Sequence, residues 1–77
     1  LIIYPNPAKE FINISVPGEI CFSGCHILIF NINGKQVFSS GNFNKRISVE
    51  SFDPGIYLVR ITSNGIPVRS AKFILIR

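Results

Sequence analysis

The sequence contains no methionine, no tryptophan, a single histidine and only two cysteines. A structural zinc ion usually takes four Cys or His ligands, so these residues cannot supply an ordinary zinc site. His26 follows Cys25, but neighbouring strand residues point to opposite faces and cannot pair as nucleophile and base. His26 is therefore expected at the surface or at a strand end. The four acids are scattered without carboxylate-pair spacing, so we predict no enzymatic activity, no metal and no cofactor.

Long apolar runs are also absent. No stretch approaches the roughly 20 consecutive apolar residues of a membrane-spanning helix, so no transmembrane segment is predicted. Leu1-Ile2-Ile3-Tyr4 lacks the positive flank and small-residue cleavage site of a signal peptide. Because translation starts at methionine, we expect residues 1–77 to be a single domain of a longer protein, with any signal peptide or linker before Leu1.

The charge is modest and dispersed, at +4 from eight Lys and Arg against four acids. Nucleic-acid binders cluster basic residues with stacking aromatics, so no nucleic-acid partner is predicted. The one basic concentration, at Arg69, Lys72 and Arg77, has two interpretations. It is either solubilising charge that also protects an edge strand from aggregation, or a charged stretch on which a partner docks.

The cysteine pair, Cys21 and Cys25, leaves two alternatives open. A disulfide needs Cα atoms within about 7 Å, whereas a straight strand would hold them some 13 Å apart, so a turn at Ser23-Gly24 is required. Such a bond would suit an oxidising compartment. The other alternative is two buried thiols that behave as small apolar residues.

The hydrophobic pattern is that of β-strands, with no window of helical period. Strands are predicted at residues 11–16, 26–32, 35–40, 46–50, 56–63 and 68–76. The run 26–32 is too continuously apolar for a strand with one solvent-exposed face, which predicts a strand that is central or covered on both sides. Six or seven short strands at intervals of about 8–12 residues predict an all-β fold, an Ig-like antiparallel β-sandwich of about seven strands.

Turn signals separate these strands. Asn33-Gly34 and Asn64-Gly65 predict two hairpins with type I′ turns, which need positive φ at both central residues. Pro17-Gly18 and Asp53-Pro54-Gly55 predict further turns.

Two other local predictions concern proline and tyrosine. Pro5 and Pro7 fix φ and remove N–H donors, so residues 4–7 are expected to be an extended edge segment. Within it, the Asn6 side chain is expected to bond its own neighbouring backbone, as in an Asx-turn. Tyr57 alternates with Val59 and Ile61 and is expected in the core, with its hydroxyl at the rim.

Four motifs, in order and spanning nearly the whole chain, carry a family resemblance. They are Tyr4-Pro5-Asn6-Pro7, a hairpin ending Gly34-Lys35-Gln36-Val37, the strand entry Pro54-Gly55-Ile56-Tyr57, and Gly65-x-x-Val68-x-x-x-Lys72 before a closing apolar strand. The sequence thereby resembles the type A C-terminal sorting domain of the type IX (Por) secretion system of Bacteroidetes-type bacteria. It departs in ending with Arg77, where Lys is commoner, and in its cysteine pair.

The resemblance implies a secretion and sorting signal for a cargo upstream in the same chain. The domain would fold in the periplasm and be recognised by the outer-membrane secretion machinery. A sortase-like cysteine peptidase would then cut before Leu1 and join the cargo to lipopolysaccharide at the cell surface, or the cargo would become extracellular. The docking residues expected are Gly65, Val68, Arg69, Lys72 and Arg77, with Gly65 and Val68 setting the strand geometry.

Two other functions compete with this one. The first is an adhesive or carbohydrate-binding β-sandwich of a secreted protein, which the absence of Trp and the presence of only two Tyr disfavour. The second is an Ig-like spacer without a partner of its own. A spacer would tolerate loss of the basic charges on the last strand, whereas a sorting signal would not.

Overall fold

The computed structural model describes residues 1–15, 24–41 and 46–76. Within these ranges the strands are β1 (Ile2–Tyr4), β2 (Phe11–Ser15), β3 (Cys25–Asn31), β4 (Gln36–Ser40), β5 (Arg46–Ser48), β6 (Gly55–Ser63) and β7 (Ile66–Leu75). No helix in this part of the chain is long and apolar enough to cross a membrane. The predictions made for Val16, Pro17-Gly18, Cys21 and Arg77 lie outside the described residues.

The strands form two antiparallel sheets, which confirms the predicted all-β sandwich. One sheet has the order β1-β2-β5 and the other the order β4-β3-β6-β7. The six predicted strands are present with bounds that differ by at most two residues, and β1 is added before them. Strand β3 lies between β4 and β6, so its prediction as a central strand is confirmed.

The core lies between the sheets and follows the period-two alternation of the strands. The largest fully buried side chains are Phe73, Ile12, Ile27, Ile29, Ile61, Leu75, Val49 and Val59. Burying one such side chain completely contributes about 1.5–3 kcal/mol to folding. The apolar residues that alternate inward therefore hold the three-stranded sheet against the four-stranded one.

The two Asn-Gly hairpins differ in turn type. Asn64 and Gly65 have φ values of 52° and 82°, so the type I′ turn between β6 and β7 is confirmed. Asn33 keeps a negative φ and only Gly34, at 82°, is left-handed, so the type I′ prediction there is wrong. The Asn31 side-chain oxygen explains the difference, because it accepts hydrogen bonds from the backbone N–H groups of Asn33 and Lys35 and so stabilises a longer loop.

Cys25 and His26 lie on opposite faces of β3, as predicted. The Cys25 side chain is buried and His26 is exposed. Cys25 is disulfide-bonded. Because Cys21 lies outside the described residues, its pairing with Cys25 stays a prediction.

The difference between the two Asn-Gly turns predicts unequal effects of alanine. We expect Asn64→Ala to lower the free energy of unfolding by about 1 kcal/mol, because alanine is disfavoured at positive φ. Asn33→Ala is the matched control and should have a smaller effect, since its φ is negative and its side chain is exposed. Urea unfolding of both variants measures the difference, and equal losses would contradict the assigned turn types.

Candidate partner-docking site

Strand β7 lies at an edge of the four-stranded sheet, where β6 is its neighbour among the described strands and Ala8 forms an isolated parallel bridge to Leu75. The N–H and C=O of Ile74 face away from β6, because both bond to residues near the N-terminus. In an antiparallel strand this orientation alternates with a period of two. The backbone groups of Ser70 and Lys72 therefore also face outward, along the open edge.

The end of β7 is fastened by residues 6 and 8, an arrangement that we call the Asn6/Ala8 clasp. The Asn6 Oδ1 atom accepts a hydrogen bond from the Ile74 N–H at 3.0 Å. The Ala8 N–H donates to the Ile74 carbonyl at 2.7 Å, and the Ala8 carbonyl accepts from the Ile76 N–H at 2.9 Å. The Tyr-Pro-Asn-Pro motif thus leads directly into the contact that closes the edge of the last strand.

The clasp corrects two predictions about residues 4–7. The Asn6 side chain bonds across to β7, so the predicted Asx-turn is wrong. The extended segment ends at Tyr4 in β1, and bends follow, with cis peptide bonds before Pro5 and Pro7. Because proline has no N–H, the acceptor of Asn6 and the backbone of Ala8 make the contacts with β7.

The motif Pro54-Gly55-Ile56-Tyr57 forms the corner at which β6 begins. The Tyr57 side chain is buried, which confirms the predicted core position. Its hydroxyl is only partly buried and donates to the Asp53 carbonyl. Its ring stacks on Phe73 of β7, with centroids 5.4 Å apart. A tyrosine whose hydroxyl bonds the backbone upstream at this strand entry is a tyrosine corner, typical of Ig-like sandwiches.

The predicted docking residues do not share one face of β7. Arg69 lies opposite the core residue Ile61, whereas Lys72 lies opposite Leu58 on the outer face. Arg69 donates to the carbonyl of Val68, the half-buried extra residue of a β-bulge. Gly65 lies in the preceding turn, and Arg77 lies outside the described residues. Arg69 and Lys72 therefore cannot form a single patch on one side of the sheet, and their docking role stays a prediction.

Arg60 of β6 belongs to none of the sequence motifs and is a further candidate residue. Its guanidinium carbon lies 5.1 Å from the centroid of the Phe30 ring, and both side chains line a surface groove together with Lys72. The continuous apolar run of β3 was the sequence signal for this surface, because it puts large apolar residues on the outward face of the strand as well as on the inward face. Elsewhere, no three potential metal ligands of the described residues lie together.

Comparison with known families gives a match that covers nearly the whole chain. The model of the family described as "Secretion system C-terminal sorting domain" matches residues 2–76. The match takes in the clasp, the tyrosine corner and the predicted docking residues from Gly65 to Lys72. No curated protein matches the chain.

The clasp predicts a local effect of removing the Asn6 acceptor. We expect Asn6→Ala to lower the free energy of unfolding by about 1 kcal/mol and to speed hydrogen exchange of the Ile74 amide. Asn6→Asp is the control, because it keeps an oxygen that can accept from Ile74. Native-state exchange followed by NMR tests this, and an Ile74 amide that exchanges equally fast in both variants would contradict the clasp.

The tyrosine corner predicts a different effect for two tyrosines. Tyr57→Phe should lower the free energy of unfolding by about 1–2 kcal/mol, because it removes the partly buried hydrogen bond to Asp53. Tyr4→Phe should change stability little, because Tyr4 is 51% exposed. Thermal or urea unfolding would disprove the corner if the two substitutions had the same effect.

Proposed function

The chain belongs to the family of C-terminal sorting domains of the type IX secretion system. On this premise we propose that strand β7 is the part of the domain on which the secretion machinery docks. Domains of this family are sorting signals that send an exported protein to the cell surface or the extracellular space. The family is not known for enzymatic activity.

We take residues 1–77 to be one domain behind an upstream cargo. In this proposal the domain folds in the periplasm, is recognised at the outer membrane, and is later removed by a sortase-like cysteine peptidase that cuts before Leu1. The arrangement of the N-terminus supports such access. Leu1 is only partly buried, and β1 lies at an edge of its sheet, so a preceding chain can leave without crossing the core.

The open part of the β7 edge carries the docking proposal. Ser70 and Lys72 direct their backbone groups outward, and no other described residue is hydrogen-bonded to them there. An exposed edge accepts an added strand through main-chain hydrogen bonds. The turn at Gly65 and the bulge at Val68 shape the approach to this edge, and Arg69 and Lys72 place a cation on each side of it. Arg77 is proposed as a docking residue from the sequence alone.

Delivery of a reporter tests the proposal. The chain is fused behind an exported reporter in a bacterium with the type IX system, and surface reporter is measured. Ser70→Pro removes an outward N–H that the ladder with β6 does not use, so delivery should fall by about two- to tenfold. Ser70→Ala keeps that N–H and is the control at the same position.

Three outcomes of this experiment count against the proposal. Failure of the unchanged chain to deliver the reporter, or delivery of the reporter without the chain, would refute sorting by this domain. Normal delivery by Ser70→Pro, with an unfolding midpoint close to that of the control, would refute docking along the edge. Truncation of residues 73–77 is less informative, because it also removes the buried Phe73 and Leu75.

A further inference from the structure

The outer face of the four-stranded sheet carries large apolar side chains. Phe30 lies opposite Leu58, and Ile56 lies opposite Ile74, on the face turned away from the core. Phe30 and Leu58 are half-buried, whereas Ile56 and Ile74 are 44% and 46% exposed. No strand of the described chain lies over them. A contiguous apolar patch of this kind commonly marks an interaction site.

This face contains a groove, which we call the outer groove. It has a volume of about 470 Å³, and its lining includes Phe30, Ile32, Ile56, Leu58, Arg60 and Lys72. Its volume is in the range of about 300–1,000 Å³ that is usual for binding pockets. Strands β3, β6 and β7 together span about 10 Å, which is wide enough for one extended chain with its side chains.

Positive charge lies in the groove without a matching negative charge. Arg60 lies opposite Ser70, so Lys72 is its diagonal neighbour across β6 and β7. Diagonal neighbours on one face are about 7–8 Å apart, a distance at which long side chains interact. None of the described residues that line the groove is acidic. A bound carboxylate would therefore relieve the repulsion between the two cations.

We propose that the outer groove binds an extended segment of a partner protein in which an Asp or Glu lies between large apolar residues. The inference rests on the proposed sorting function and names the class of segment that the machinery would present. The carboxylate would lie between Arg60 and Lys72, because a guanidinium forms strong charge-assisted hydrogen bonds to carboxylates. The apolar neighbours of that carboxylate would pack over Phe30 and Leu58, which lie in the cross-strand row of Lys72, and over Ile56 and Ile74 in the next row.

Charge disfavours a second copy as the occupant, and the shape of the groove disfavours a membrane. A second copy of the chain would form an isologous contact, in which each groove meets the same groove. Arg60 and Lys72 of both copies would then face one another, and like charges across an interface are unfavourable. A membrane surface is a poorer fit, because it would cover the exposed Ile56 and Ile74 but not reach Phe30 and Leu58, which are half-buried in the groove.

The probe for this proposal is a short synthetic peptide whose alternate residues read Leu, Glu, Leu, with serine at the intervening positions. We expect it to shift the amide resonances of Leu58, Lys72 and Ile74 in NMR titrations. A peptide with Lys in place of Glu should bind about tenfold more weakly or worse, because one charge-assisted hydrogen bond contributes about 1.5–3 kcal/mol.

Matched variants locate the interaction. Arg60→Gln and Lys72→Gln should each weaken binding of the Glu peptide about tenfold. Arg46→Gln is the control, because the Arg46 guanidinium lies over the Phe11 ring at 3.7 Å, a similar pair on the other sheet. Arg46→Gln should leave the affinity unchanged.

Other results would overturn the proposal. Equal affinity for the Glu and Lys peptides, or an equal loss in the Arg46 variant, would exclude a specific carboxylate site. Groove resonances that shift with protein concentration alone would identify a second copy as the occupant. Groove resonances that shift with vesicles of anionic phospholipid, but not with the Glu peptide, would identify a membrane.

Reporter delivery separates this inference from the proposed function. If the unchanged chain delivers the reporter and Arg60→Gln lowers delivery relative to Arg46→Gln, the groove takes part in sorting. If both variants deliver normally, the groove inference fails and sorting stands. If the unchanged chain does not deliver, the sorting proposal fails, and the peptide titrations alone decide whether the groove binds acidic segments.

Discussion

The Asn6/Ala8 clasp is the contact on which the arrangement of the last strand depends. Its three hydrogen bonds join residues near the two ends of the chain. At about 1 kcal/mol each they contribute roughly 3 kcal/mol, against a total stability of about 4–12 kcal/mol for a domain of this size. Without them, the end of β7 would be an open edge that pairs with β6 alone, at the place where terminal strands usually fray.

The clasp divides the outer edge of β7 into two parts with different roles. Toward the C-terminus, both backbone groups of Ile74 and the N–H of Ile76 are already bonded. Toward the turn, the outward groups of Ser70 and Lys72 stay available. The stacked rings of Tyr57 and Phe73 hold the intervening part of the strand against β6. A partner strand that added to this edge, as proposed, would therefore find only a short stretch of open backbone, and Pro67 at its start would restrict further pairing.

The parts of the fold that were predictable from sequence are those with local causes. Period-two alternation gave the strands and most of the core, and the positive φ required by Asn64-Gly65 gave one hairpin. The bond from Asn6 to Ile74 spans 68 positions, and no local pattern encodes such a contact. The type I′ prediction for Asn33-Gly34 was wrong because the Asn31 side chain, two residues earlier, bonds backbone N–H groups of the loop and stabilises another turn. Arg69 and Lys72 were grouped by their closeness in sequence, although an odd separation along a strand puts them on opposite faces.

That separation makes Lys72 the residue at which the edge and the outer groove meet. Its backbone lies on the open edge, whereas its side chain lies beside Arg60 on the outer face. A partner strand added along β7 would continue the sheet and would carry its own outward side chains next to the groove. Because those side chains alternate, every second residue of the added strand would lie on the outer face, beside Lys72. An acidic residue at such a position would contact Lys72 from the edge, so main-chain pairing and charge recognition would act on adjacent surfaces of one partner.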